Sequence, residues 1–375
     1  MVKKDVYAVL LAGGKGTRLW PLSTDRCSKS FVRIGRRGAL ITETIARLSG
    51  AIGKKNTIIV VDEAQASLLG KFAVGIPKRN ILVEPFGRST ASAVGLAAIG
   101  LEPDDIMVVL PTDSLIKEAA SFKKTVKEAV KFARKKKDAL LCIGVKPSSP
   151  RSGYGYIKTG FRHPRGIYSI DRFIEKPPEN LARRFAGRKD YFWNAGMFVF
   201  RAEAILRAVK KHAPFLFNQL SRIKKNRKNK RSAYLRMKNV SIDYQIMEKA
   251  KNLYCAVGKF SWHDLGSWKS LGEILKKDKN GNVSFGRATL MNTADSVVYN
   301  STEKNIGLAG LKDTIVVCAE GGTLVCGKNE AERVKELVMR MHGRGARARE
   351  RNADLRSTGG GVRPRTLPPA AGTKR

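Results

Sequence analysis

Short apolar runs rich in β-branched residues alternate with amphipathic segments through the first half of the chain. The runs read VYAVLLA, TIIVVDE, ILVEP, IMVVLPTD and ALLCIGV, and segments such as ITETIARLSG and FKKTVKEAVKFARKK separate them. This order predicts βαβ units, and hence an α/β fold with a Rossmann-like, doubly wound sheet that is mixed but mostly parallel. Functional residues of such sheets lie beyond the carboxyl ends of the strands, where Gly13, Glu84 and Asp113 fall.

The pattern changes in the second half of the chain. From about Arg151 it shows shorter strands and loops, with helices predicted near residues 202–211 and 242–251. We interpret this stretch as a substrate-facing half of the same domain, so that one catalytic domain covers residues 1–278.

A small β subdomain is predicted for residues 279–341. Short strand-like pieces joined by Gly, Asn and Asp turns fill 283–327, and a last helix follows them. Residues 342–375 are rich in Gly, Pro and Arg and nearly empty of large apolar side chains, which predicts a disordered basic tail.

The composition excludes several classes of protein. The chain of 375 residues has no apolar run long enough to span a bilayer and no apolar signal segment before the first strand, so we expect a cytoplasmic protein without a membrane partner. Its five cysteines are scattered without a C-x-x-C pair, which argues against disulfides and a zinc site. The net charge of +40 suits an anionic partner, but the basic runs lack interleaved aromatic residues, so nucleic acid is disfavoured.

The glycine-rich stretch LLAGGKGTRLWPLS follows the first predicted strand. It lacks the Gly-Lys-Ser/Thr frame of a P-loop, and Leu19 stands where the dinucleotide fingerprint needs its third glycine. Small residues still allow backbone N–H groups to approach an anion, and Arg18 adds a permanently charged guanidinium group that can donate two parallel hydrogen bonds. We therefore predict a nucleotide-phosphate loop comprising Leu11, Ala12, Gly13, Gly14, Lys15, Gly16, Thr17 and Arg18.

Further motifs follow the loop in a characteristic order. They read SKSF around Lys29, EPFGRSTASAVGLAA, LPTD, SGYGYI, FIEKP, WNAGMFVF, SIDYQIMEKA and WHDLGSW. In this order and at these separations they resemble the bacterial mannose-1-phosphate guanylyltransferases of the sugar-phosphate nucleotidyltransferase superfamily. The resemblance covers about Asp5 to Met341 and implies a GT-A-like nucleotidyltransferase domain followed by a small β-helix-like subdomain.

The resemblance also implies a reaction and its catalytic residues. Mannose 1-phosphate attacks the α-phosphorus of GTP in line, giving GDP-mannose and pyrophosphate. Arg18 is then expected on the departing β- and γ-phosphates and Lys29 on the α-phosphate. Asp113 and Asp264 are expected to hold Mg²⁺, because carboxylates supply the oxygen ligands that this ion prefers. Taken singly, either aspartate could instead cap a helix or satisfy a tight loop.

Binding residues follow from the same resemblance. Glu84, Arg88 and Thr90 match positions near the nucleotide base. The positions that contact the sugar or its phosphate in the family correspond here to Tyr154, Gly155, Glu175, Lys176 and Asn194. The roles of Asp243 and His263 are left open, and so is assembly as a homodimer.

Some motifs depart from the family pattern beside these residues, as in Ser28-Lys29-Ser30-Phe31 and Thr112-Asp113-Ser114. The reaction type is therefore a firmer expectation than the substrates. The nearest alternative is the same chemistry on another hexose 1-phosphate or nucleotide. An alternative of a different class is a non-catalytic protein that binds a nucleotide or nucleic acid on the same fold.

Overall fold

A computed structural model describes residues 5–14, 16–25, 27–35 and 38–341 of the chain. Lys15 of the predicted loop and the predicted tail at 342–375 lie outside the described residues. The strands of the first part are β1 Val6–Leu11, β2 Thr57–Asp62, β3 Ile81–Glu84, β4 Ile106–Pro111, β5 Ser114–Ile116, β6 Leu140–Val145, β7 Tyr156–His163, β8 Ile167–Ile174, β9 Tyr191–Arg201, β10 Leu253–Gly258 and β11 Trp262–Asp264.

Helices connect these strands as the amphipathic segments predict. They are α1 Leu40–Leu48, α2 Glu63–Ala66, α3 Leu69–Phe72, α4 Ser89–Ala98, α5 Ala119–Lys135, α6 Glu179–Ala186, α7 Ala202–His212, α8 Pro214–Lys225, α9 Lys230–Arg236 and α10 Trp268–Ile274. None of the helices in the described ranges is both long and apolar enough to cross a membrane.

Within the described residues, nine strands form one mixed sheet in the order β3-β2-β1-β4-β9-β6-β10-β8-β7. Strands β8 and β9 run opposite to the other seven, as their pairings show. Each face of the sheet is covered: Ala8 and Leu10 of β1 belong to one apolar cluster, and Val9 belongs to the other. The doubly wound, mostly parallel sheet is therefore confirmed.

The second half of the chain completes this sheet instead of forming a separate domain. Strands β7 to β9 pair with one another and with β4, β6 and β10, and α7 matches the helix predicted for 202–211. The helix predicted for 242–251 is present but shorter than predicted: it is the five-residue π-helix Asp243–Met247, with Ile242 and Glu248 in helical conformation on either side. Tertiary hydrogen bonds hold its two ends: Asn194 Nδ2 donates to Asp243, and Glu175 N donates to Glu248.

Six further strands build the small β subdomain: β12 Val283–Phe285, β13 Ala288–Met291, β14 Val297–Asn300, β15 Ile306–Ala309, β16 Thr314–Ala319 and β17 Gly322–Gly327. Strands β12, β14 and β16 pair in parallel in successive turns, as do β13 and β15. This stacking of parallel turns is the arrangement of a β-helix. A 3-10 helix, Lys328–Arg333, and a helix at 334–341 follow it; we name residues 328–341 the terminal segment.

One apolar cluster joins the two parts of the chain. Trp268 of α10 is fully buried in it, its ring centroid lies 5.4 Å from that of Tyr299, and its Nε1 donates to Trp20 O at 2.9 Å. Leu19 from the glycine-rich loop and Val334 from the terminal segment belong to the same cluster. The loop, α10 and the β subdomain are therefore packed as one unit.

Replacing Trp268 with Phe tests this junction. We expect the variant to lose about 2–4 kcal/mol of unfolding free energy, because it leaves a cavity and an unpaired Trp20 carbonyl. Urea unfolding followed by circular dichroism measures the loss. Phe161→Leu, at a position that is 71% exposed, is the control and should unfold like the wild type. Equal stability of Trp268→Phe and wild type would contradict the role of the junction.

Candidate functional site

The two predicted metal carboxylates lie next to each other. Asp113 comes directly before β5, and Asp264 ends β11; these two short strands pair antiparallel, with Asp264 opposite Ser114. The pairing brings together two aspartates that are far apart in the sequence. The structure thus places both acidic side chains at the carboxyl edge of the main sheet, after β4 and β10.

Lys29 lies between these aspartates. Its Nζ donates to Asp113 Oδ2 at 2.9 Å and to Asp264 Oδ1 at 3.0 Å. The lysine side chain is only 8% exposed, whereas those of Asp113 and Asp264 are 40% and 35% exposed. Burial by itself would lower the pKa of Lys29, but attraction to the two carboxylates outweighs it and raises the pKa, so the ammonium stays charged.

Short hydrogen bonds fix the backbone that carries Lys29. The hydroxyl of Thr112 donates to Leu11 O at 3.0 Å and lies 2.7 Å from Ser30 Oγ, which joins the ends of β4 and β1 to the turn Lys29–Phe31. Ser28 N donates to Gln65 Oε1 at 2.8 Å. Ser30 and Thr112, two departures from the family pattern, therefore bond to each other and support the lysine.

The glycine-rich loop approaches Lys29 closely at Gly16. This residue has φ +57°, and a Cβ built on it would lie 2.6 Å from Lys29 Cβ, so a larger residue would push the lysine away. Leu11 ends β1, Ala12 N donates to Val60 O, and no heavy atom of the described residues lies within 4 Å of a Cβ built on Gly13 or Gly14. The loop backbone is thus held at both ends and open between them.

Two clefts meet at the paired aspartates. The first, which we name the loop cleft, has a volume of about 530 Å³ and is lined by Gly16, Thr17, Arg18, Asp25, Lys29, Asp113, Asp264, Gly266, Lys335, Val338 and Met339. The second, which we name the large cleft, measures about 790 Å³. Arg18, Asp113 and Asp264 line both, so a molecule in one cleft can contact a molecule in the other at these side chains.

All five residues predicted to contact the sugar or its phosphate line the large cleft: Tyr154, Gly155, Glu175, Lys176 and Asn194. The ring centroid of Tyr154 lies 5.1 Å from those of Trp193 and Trp262, both in edge-to-face geometry. Lys176 is more than half exposed, and its Nζ lies 3.6 Å from Glu175 Oε1. The sequence motifs therefore converge on one wall, which combines an aromatic surface with charged groups.

Two half-buried carboxylates, those of Glu175 and Asp243, also line the large cleft. Glu175 Oε2 is buried without a hydrogen bond partner in the described structure, and a Cβ built on Gly155 would lie 2.4 Å from it. Asn194 Nδ2 donates to Asp243 Oδ1 at 2.8 Å. Burial, followed by repulsion from Asp243, raises the pKa of Glu175 to about 7. The pair offers acceptors to hydroxyl groups of a ligand.

Glu84, Arg88 and Thr90 line neither cleft in the described structure. Arg88 Nε donates to Tyr234 O at 2.9 Å, and Thr90 Oγ1 accepts a hydrogen bond from Ile242 N at 2.9 Å. The two contacts tie the N-terminal end of α4 to α9 and to the start of the π-helix Asp243–Met247. Their role at the nucleotide base stays a prediction.

Sequence reasoning missed several residues of the clefts. Arg151 and Lys269 line the large cleft, and Lys335 lines the loop cleft. These are single basic residues in a chain that is basic throughout, so nothing in the sequence distinguishes them. Asp243, whose role the sequence left open, lies on the large cleft. The signal that could have found it was its place in the motif SIDYQIMEKA.

The fold and the paired aspartates define a transferase of the nucleotidyl class, and comparison with known proteins agrees. The model of the nucleotidyl transferase family matches residues 7–281. The model of the mannoseP isomerase/GMP-like beta-helix domain matches residues 286–341. The chain therefore belongs to the nucleotidyl transferase family.

Individual proteins are similar to this chain over most of its length. Escherichia coli mannose-1-phosphate guanylyltransferase is 30% identical over 359 residues, which cover 91% of this chain and 76% of that protein. The xanthan biosynthesis protein XanB of Xanthomonas campestris pv. campestris is 31% identical over 353 residues, covering 91% and 74%. A crystal structure from Thermus thermophilus, named mannose-1-phosphate geranyltransferase, superposes with a TM-score of 0.82 at 29% identity, covering 90% of this chain and 99% of that one. The resemblance inferred from the motifs is confirmed.

The buried carboxyl of Glu84 predicts a pH dependence of stability. Burial raises its pKa from 4.5 to about 7. Between about pH 4.5 and pH 7 the folded protein keeps a proton on Glu84 that the unfolded chain has already released. The free energy of unfolding therefore falls as the pH rises through this range. Glu84→Gln stays neutral and should escape this loss. Its melting temperature relative to wild type should therefore be higher at pH 8 than at pH 5.

Melting curves recorded across this pH range measure the effect. Glu320→Gln removes an exposed carboxyl and should melt in parallel with the wild type at every pH. A constant difference between Glu84→Gln and wild type at all pH values would contradict the assignment.

Proposed function

We propose that this protein joins GTP and mannose 1-phosphate into GDP-mannose and releases pyrophosphate. The observation that carries the proposal is the meeting of two clefts at Lys29, Asp113 and Asp264. One cleft has a glycine-rich anion loop and the other has hydroxyl acceptors. A reaction between a nucleotide and a sugar phosphate needs such a junction, where the two reacting phosphates can be brought into line.

In the proposed reaction a phosphate oxygen of the sugar phosphate bonds to the α-phosphorus of GTP. The bond from that phosphorus to the oxygen bridging to the β-phosphate breaks, and its electrons leave with pyrophosphate. Arg18 and the loop N–H groups bind the departing phosphates, and the Lys29 ammonium neutralises charge at the α-phosphate. Positioning and charge stabilisation account for most of the rate in transfers of this kind.

We also propose that Asp113 and Asp264 hold Mg²⁺. The described residues contain no group of three or more His, Cys, Asp or Glu side chains that could hold a metal. A pair of carboxylates fits Mg²⁺, because this ion keeps several waters and takes its remaining oxygens from phosphates. When bound, it would neutralise negative charge on the phosphates. Lys29 contacts both carboxylates and would keep them facing the junction.

The large cleft supports a hexose phosphate as second substrate. Glu175 and Asp243 can accept hydrogen bonds from sugar hydroxyl groups, and Lys176 can pair with the phosphate of the same molecule. Mannose is proposed because relatives that match most of this chain are named for mannose 1-phosphate. Another hexose 1-phosphate or another nucleotide remains the alternative substrate.

A protein that only binds nucleotides is the competing proposal of a different class. The burial of Lys29 against two carboxylates favours the enzyme, because placing an ammonium in an enclosed site has a desolvation cost that simple anion binding does not require. The expected cytoplasmic location and the homodimer stay predictions. A supply of GDP-mannose for polysaccharide synthesis fits the name of the xanthan relative.

Removing the Lys29 ammonium tests the reaction. Lys29→Ala should lower kcat for pyrophosphate release from GTP and mannose 1-phosphate by at least about 100-fold, because charge at the α-phosphate is no longer neutralised. A coupled pyrophosphate assay measures the rate. Lys71→Ala on α3, away from both clefts, removes the same charge and should keep full activity.

The same assay compares the alternative substrates and the alternative class. Wild type supplied with a panel of nucleotides and hexose 1-phosphates should release pyrophosphate fastest from GTP and mannose 1-phosphate. A faster pair would replace our substrates. No release from any pair, with GTP still bound, would favour the protein that only binds.

The sugar side of the proposal predicts a separate effect. Glu175→Gln should raise the KM for mannose 1-phosphate by roughly tenfold or more while leaving the KM for GTP unchanged, because a charged hydrogen bond to a hydroxyl is lost. Steady-state kinetics with each substrate varied in turn measures both values. Glu179→Gln, an exposed carboxyl at the same cleft that pairs with Arg183, is the control and should change neither. A rise in the KM for GTP alone would contradict the assignment.

A further inference from the structure

The terminal segment forms one wall of the loop cleft. Lys335, Val338 and Met339 line this cleft together with Gly16 and Thr17 of the glycine-rich loop. The terminal segment ends the β subdomain, whereas the loop belongs to the catalytic domain. The cleft in which the nucleotide phosphates are expected is therefore shared between the two parts of the chain.

The loop and the terminal segment are joined through a common core. Leu19, which directly follows Arg18, is fully buried in the apolar cluster that also contains Val334 and Val338. Lys335 lies between these two valines in the sequence. Because Leu19 and Val334 pack in the same cluster, the backbone positions of the neighbouring residues Arg18 and Lys335 are set relative to each other. Both cations therefore lie at the loop cleft.

Arg18 already has a partner in the terminal segment. Its Nε lies 3.1 Å from Glu332 Oε2, and the two side chains are 49% and 64% exposed. An exposed ion pair contributes little stability, whereas a guanidinium and a phosphate form short, charge-assisted hydrogen bonds. Arg18 can therefore exchange the carboxylate of Glu332 for a phosphate at little cost.

Lys335 differs from Arg18 and Lys29, the other cations among the described residues that line the loop cleft. Lys29 is bound to two aspartates and Arg18 to Glu332, but Lys335 forms no ion pair with any carboxylate in the described part of the chain. Its side chain is exposed at the cleft. Its charge is therefore available to an anion from the outset.

We propose that Lys335 binds the pyrophosphate end of the nucleotide together with Arg18, and that Glu332 holds Arg18 until this anion arrives. The inference rests on the proposed function for the identity of the anion. As the bond at the α-phosphorus breaks, negative charge grows on the departing pyrophosphate, and Lys335 stabilises it. Once transfer is complete, Glu332 competes with pyrophosphate for Arg18 and so favours release.

Binding of inorganic pyrophosphate in the presence of Mg²⁺, measured by isothermal titration calorimetry, tests the proposal. Lys335→Ala should weaken this binding by about tenfold, the effect of losing one charged hydrogen bond. Arg340→Ala removes the same unit of charge from the same helix. Arg340 pairs with Glu336 and does not line the loop cleft, so this control should bind like the wild type.

Two more variants separate binding from structure. Lys335→Arg keeps the charge and should restore most of the affinity. Glu332→Gln removes the competing carboxylate and should tighten binding of pyrophosphate by about twofold to threefold, since Arg18 no longer has to leave a charged partner. Melting temperatures of all variants establish that they are folded.

Equal affinity of Lys335→Ala and wild type, equal losses in Lys335→Ala and Arg340→Ala, or no binding of pyrophosphate by the wild type would each overturn the proposal. Its failure is distinguishable from failure of the proposed function. If the protein is an active transferase but Lys335→Ala binds pyrophosphate like the wild type, only the inference is refuted. If Lys335→Ala binds pyrophosphate more weakly but the wild type has no transferase activity, only the proposed reaction is refuted.

Discussion

The contact of the Lys29 ammonium with Asp113 and Asp264 is the interaction on which the rest of the site depends. A buried ammonium is stable only when opposite charges and hydrogen bonds replace its water. The two carboxylates supply both, at 2.9 and 3.0 Å. In return the lysine holds together two aspartates that would otherwise repel each other, and their outer oxygens stay accessible from both clefts.

Much of the surrounding structure serves this contact. The short antiparallel pair β5–β11 brings the aspartates together, and Gly16 leaves room for the lysine. The hydroxyls of Thr112 and Ser30 tie the lysine's turn to the ends of β1 and β4. The main sheet provides the rigid base, because its central strands are buried on both faces. A site built on such elements keeps charged groups in place before any substrate binds.

The β subdomain is part of this arrangement. Its core is continuous with that of the loop through Leu19 and Trp268, and its terminal segment forms a wall of the loop cleft. The pair of Arg18 and Glu332 crosses the same boundary. A catalytic domain and an appended subdomain thus share one binding surface, which gives the subdomain a physical reason to be present.

The sequence by itself determined the class of fold and the family, and it predicted many of the residues that the structure groups along the two clefts. Alternation of apolar runs and amphipathic segments predicts an α/β fold with a mostly parallel sheet. The motifs around Arg18, Lys29, Asp113 and Glu175 identified the family because each has particular residues at particular offsets. The sequence predicted a helix at 242–251, of which the structure forms the short π-helical part that carries Asp243, hydrogen-bonded there to Asn194. Only the tertiary structure decided that Lys29 joins the two aspartates and that Lys335 reaches the same cleft. Those facts depend on distances between residues far apart in the chain, which local pattern and propensity do not encode.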